Sequence, residues 1–106
     1  MFEMDRIEKL KEFLKENPGD SFLQHALALE YVKAGDDGQA RKIFEGIVAR
    51  EPSYIGSYYH LAKLFERNGD SESAIRWYQK GMEEAQKAGE THAFNELKSA
   101  YEELLF

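Results

Sequence analysis

The side chains able to do acid–base or metal chemistry are spread thinly along this sequence. His92 and Glu96 stand four residues apart, which sets both on one helical face within reach of a shared cation. Two ligands do not complete a site, and the plainer reading is a solvated pair. His25 and His60 have no nucleophile or carboxylate at a catalytic spacing and read as surface or groove residues. Glu83-Glu84 and Glu102-Glu103 are chain neighbours, so on a helix each pair splays by about 100° and forms no catalytic dyad. They read as a solvated acidic face. Gly35 and Gly69 follow helical stretches, and neither phosphate-loop nor dinucleotide fingerprints occur. Cysteine is absent, which excludes a thiol nucleophile, a disulfide framework and a thiolate zinc site. The expectation is a protein without catalysis, metal or cofactor.

The elements that would carry these residues are all helical. Apolar residues at Phe2, Ile7, Leu10, Phe13 and Leu14 make one stripe, halted by Asn17-Pro18-Gly19-Asp20. Ser21 with Gln24 offers a capping box for a second helix bearing Phe22, Leu23, Ala26, Leu27, Tyr31 and Val32, which ends at Gly35. Asp36 or Asp37 caps a third, with Ala40, Ile43, Phe44, Ile47 and Val48, up to Arg50 and the stop at Glu51-Pro52. The cycle recurs with Ile55, Tyr58, Leu61, Ala62, Leu64 and Phe65, a break at Asn68-Gly69-Asp70, and then Ala74, Ile75, Trp77, Tyr78 and Met82. After Gly89, with Thr91 as cap, Phe94, Leu97, Ala100, Tyr101, Leu104 and Leu105 share a face. Six short helices and no strand are expected.

Bulk properties narrow the setting. At 106 residues the chain is one small domain, and its 42% hydrophobic and 13% aromatic content is enough for a core. Fourteen basic against twenty acidic residues give a net charge of −6, which disfavours nucleic acid and anionic membrane surfaces. No apolar run approaches the roughly 20 residues of a membrane span, and the charged N-terminus is unlike a signal peptide, so a cytoplasmic protein is expected.

A displacement of 34 residues lays the chain on itself: Leu27 on Leu61, Ala28 on Ala62, Tyr31 on Phe65, Gly35 on Gly69, Ala40 on Ala74, Phe44 on Tyr78, and Pro18 on Pro52. Leu27-Ala28-x-x-Tyr31, Ala40-x-x-x-Phe44 and Pro52 resemble the tetratricopeptide repeat, whose period is 34. Leu61-Ala62-x-x-Phe65 with Ala74-x-x-x-Tyr78 is similar to a second copy, in which Gln86 stands where the closing proline would be. Small residues at Ala28, Ala40, Ala62 and Ala74 suit the close crossing of two antiparallel helices. Arg6 falls on the same small-residue position of the first helix, which fits a helix that no partner crosses closely. The resemblance implies an all-α, antiparallel helix-hairpin solenoid: a half-repeat helix over 1–17, repeats over 21–54 and 55–88, and a capping helix over 90–106.

The resemblance also implies a non-enzymatic module for protein–protein interaction, binding a peptide or helix in a concave groove. Its lining would be Phe22, His25, Leu29, Val32 and Lys33 from the first repeat, and Tyr59, Lys63, Glu66 and Arg67 from the second. Three cations against one anion leave a local surplus of +2, from which an acidic ligand is expected. A clamp for chaperone tails would need Lys and Asn at the fifth and ninth positions of a first helix. His25 and Leu29, then Tyr59 and Lys63, stand there instead. The alternative from another class is self-association, as a homodimer, through Phe2, Met4, Ile7 and Leu10 at one end and Leu104-Leu105-Phe106 at the other.

Overall fold

The computed structural model describes residues 5–106, so Phe2 and Met4 lie outside the described residues. Six helices follow one another: α1 (Arg6–Glu16), α2 (Ser21–Lys33), α3 (Asp37–Arg50), α4 (Gly56–Arg67), α5 (Ser71–Lys87) and α6 (Thr91–Leu105). No strand occurs among the described residues. The main packing runs between helices consecutive in the chain, and the body is elongated, 50 × 29 × 20 Å.

Aspartate starts four of the helices. Asp5, Asp20, Asp36 and Asp70 each accept a hydrogen bond from the backbone N–H three residues on, at Glu8, Leu23, Gln39 and Ser73, over 2.9–3.2 Å. The capping box expected at Ser21 does not form. Ser21 is already helical and donates to Glu51 at 3.1 Å, while Gln24 donates back to the Pro18 carbonyl at 2.7 Å. Thr91 is likewise the first helical residue of α6, after Glu90, and caps nothing.

The turns inside helical hairpins share one design. Gly35, Gly69 and Gly89 take φ of 79°, 82° and 71°, the left-handed region open to glycine. The N–H of the following residue then reaches back to a helical carbonyl: Asp36 to Tyr31 at 2.9 Å, Asp70 to Phe65 at 2.8 Å, Glu90 to Ala85 at 2.9 Å. Asp36 and Asp70 therefore close one helix with their backbone and open the next with their side chain.

Ala28, Ala40, Ala62 and Ala74 are fully buried, as the close crossings of α2 with α3 and α4 with α5 require. Around them Phe44, Ile47, Tyr58, Leu61 and Tyr78 are the large side chains withdrawn from water, each contributing about 1.5–3 kcal/mol by burial. Helix α1 buries none of its residues completely. Phe13 leaves the expected stripe and is exposed, and Arg6 reaches across to Glu30 at 3.1 Å. Glu84 departs from the expected solvated face: it is buried, held by Lys80 and Lys87 at 3.5 and 3.4 Å, one helical turn to either side. Glu83 beside it stays exposed.

Candidate functional site

Helix α4 packs mainly on α5 and more lightly on α3, and its residues sort by direction. Tyr58 points into the core, its hydroxyl donating to the Pro52 carbonyl at 2.7 Å, and burial pushes its phenol up to about 12. Tyr59, next in the chain, turns the other way and is half-buried, edge-on to Tyr78 at 6.3 Å. One turn on, the Lys63 ammonium sits 5.6 Å from the centre of the Tyr59 ring and 3.6 Å from Glu66.

These two residues form one wall of a cleft of ≈ 330 Å³ whose other wall is α6, through His92, Asn95, Glu96, Ser99 and Glu103. Helix α6 is thus one wall of this cleft. That role is hidden from a strict 34-residue displacement, because α5 runs longer than α3. Moving Tyr58, Leu61 and Phe65 forward by two residues more sets them on Phe94, Leu97 and Tyr101, and then Tyr59 and Lys63 fall on Asn95 and Ser99.

The remaining expected groove residues are placed differently. Lys63, Glu66 and Arg67 line a smaller adjoining hollow of ≈ 280 Å³. Glu66 also accepts from the Tyr78 hydroxyl at 2.7 Å, and with burial this lifts the Tyr78 phenol well above its usual range. On α2, Phe22 is exposed, while Leu29 and Val32 pack partly on the core. None of the α2 residues lines the α4–α6 cleft.

The expected surplus of positive charge is cancelled. Lys33 pairs with Glu30 at 3.3 Å, Lys63 with Glu66, and Arg67 with Asp37, its Nε 3.1 Å from Oδ2. Asn68 joins the Asp37 carboxylate at 3.1 Å, and these donors hold Asp37 below the usual carboxylate range. Helix α6 adds Glu96 and Glu103 to the same cleft. With Lys63 against Glu96 and Glu103 on its walls the cleft carries more negative than positive charge, and the expectation of an acidic ligand loses its electrostatic basis.

His25 and His60 are half-buried and face each other, and neither lines the α4–α6 cleft. His25 Nδ1 shares a 2.8 Å hydrogen bond with buried Ser57 Oγ, and its ring lies 5.4 Å from that of His60 and 5.3 Å from Phe44. His60 stacks on Phe44 at 5.8 Å, with 10° between planes. His92 and Glu96 form an exposed pair at 2.6 Å. No cluster of three metal-binding side chains exists among the described residues.

The profile of the tetratricopeptide repeat family matches residues 55–87, the span of α4 and α5. A crystal structure of a tetratricopeptide repeat domain protein from Salinibacter ruber is 38% identical, with a TM-score of 0.76, over 80% of this chain and 94% of that one. The chain is a tetratricopeptide repeat protein. A solution structure of a Salinibacter ruber tetratricopeptide repeat domain agrees, at 38% identity and a TM-score of 0.79 over 82% of this chain and 88% of that one. A Bordetella parapertussis protein shares the fold, with a TM-score of 0.84 at 20% identity over 97% and 90% of the two chains. No curated protein matches. In tetratricopeptide terms, the matched residues 55–87 form the α4–α5 hairpin. No helix among the described residues is long and apolar enough to cross a membrane.

Proposed function

We propose that this tetratricopeptide repeat protein is a non-enzymatic interaction module that takes an extended peptide or a partner helix in the cleft between α4 and α6. The observation that carries this reading is the composition of the cleft. Tyr59 offers an aromatic contact, and Asn95 and Ser99 offer neutral hydrogen-bonding groups at helical spacing on the facing wall. With Lys63 already paired and Glu96 and Glu103 on the facing wall, the cleft suits a neutral or basic segment held by hydrogen bonds and aromatic contact.

Peptides selected from a displayed random library against the parent protein test this. Tyr59→Ala with Asn95→Ala is expected to weaken capture at least tenfold. Arg76→Ala, on the α3–α5 face, leaves it unchanged. Equal capture by all three proteins removes the α4–α6 cleft as the site.

A second reading, self-association through the helical ends, is favoured by exposed apolar side chains there: Phe106 is 98% and Leu105 44% exposed, and Phe13 and Phe22 are exposed toward the other end. Sedimentation across a concentration series decides it. A mass that rises with concentration and falls back in Leu105→Ser is the expected outcome of this reading; a constant monomer mass ends it.

A further inference from the structure

Two imidazoles meet at the junction of the two repeats, where three helices converge. His25 comes from α2 and His60 from α4, and Phe44 of α3 lies against both rings. Ser57, fully buried at the start of α4, holds His25 through Nδ1. The titratable neighbours are Tyr54 from the α3–α4 turn, 5.5 Å from His25, and Tyr59 on α4, 5.5 Å from His60. The charged side chains of the converging helices are engaged elsewhere: Glu51 accepts from Ser21, Arg50 donates to Gln24, and Lys63 pairs with Glu66. Among the described residues the pair therefore has no carboxylate partner to stabilise a proton.

We propose that the His25–His60 pair makes the junction between the repeats an acid-sensitive joint: a proton taken up there parts the α2–α3 hairpin from the α4–α6 block. Two charged rings about 5 Å apart repel, and both would be poorly solvated against Phe44. The joint, between α3 and α4, is also the lighter contact compared with those inside the two repeats, and a repeat array loosens at its interfaces before its units melt.

The sign follows from the histidines' environment. Burial, then repulsion from His60, holds His25 down to about 4 from an ordinary 6.5, and burial lowers His60. A histidine whose native pKa lies below its open-state value gives full stability above about 6.5 and loses it as pH falls toward 4. Over that window His25 alone raises the opening constant by up to about tenfold per pH unit.

The test follows imidazole resonances by NMR and amide protection factors by hydrogen exchange between pH 7.5 and 4 on the parent protein. His25 is expected to titrate near 4, and protection in residues 21–50 to fall with acid ahead of that in residues 71–105. The variant His25→Gln with His60→Phe keeps a hydrogen-bonding group for Ser57 and a ring for Phe44, and is expected to hold its protection down to pH 5. A His25 imidazole titrating near 6.5, protection lost uniformly along the chain, or a variant profile that overlays the parent's would overturn the proposal. Should the variant not fold, the parent's titration and protection pattern alone decide.

Discussion

Gly81 sits where three helices meet. A Cβ at this position would lie 2.7 Å from Tyr58 Cβ and 3.1 Å from a Leu97 methyl. Alanine is the better helix former by about 1 kcal/mol, yet the clash sets its gain against an overpacking cost of roughly 1–3 kcal/mol. Gly81→Ala is expected to lower the urea midpoint, whereas Gly46→Ala, with open space around it in α3, raises it. Two phenols mark the same core from another side. Tyr58 is pushed up to about 12 and Tyr78 higher still, so both stay protonated while the unfolded chain ionises near 10. Acids whose native pKa is raised contribute stability below about pH 10 and lose it above, so alkaline unfolding and late tyrosinate absorbance are expected together, and Tyr78→Phe removes part of both. The core alanines and aromatics were legible because their types repeat at a fixed spacing. The histidine pair was not: His25 and His60 occupy adjacent, non-equivalent repeat positions, and only the stacking of α2 beside α4 brings them together.

Helix boundaries depend on a few residues doing two jobs. Asp36 illustrates the point, since its N–H closes α2 and its carboxylate opens α3. Asp36→Ala is expected to cost about 1 kcal/mol in chemical denaturation. Gly69→Ala, forced to a φ of 82°, costs a further 1–2 kcal/mol or so through strain alone. The helices themselves were legible to within a few residues, because proline, glycine and acidic caps punctuate every stripe. The choice of Asp20 over Ser21 was not, since both are good caps and only the backbone angle at residue 20 separates them. Helix α6 shows a different limit. Its amphipathic face announced a helix and its packing on α5, but its place in the groove depended on a two-residue slip in the period, which a longer α5 conceals.

At the scale of the molecule, repetition fixed the architecture before any coordinate was needed, and the groove's electrostatics waited for the structure. Charge counted along α2 and α4 suggested a cationic surface, while Asp37, from the start of α3, lies 30 residues from its partner Arg67 and cancels it across space. The same one-dimensional order that made the fold legible governs how the protein would bear load. Each helix leans mainly on the one before it and the one after, so a pull on the two ends is transmitted through the interfaces in series, and every one feels the same tension. Helix α1, without a fully buried side chain, peels away first. The hairpin α2–α3 follows as the light α3–α4 contact gives, and the block of α4, α5 and α6, interlocked at Gly81, holds longest. Stretched, the chain would lengthen stepwise from its N-terminal side.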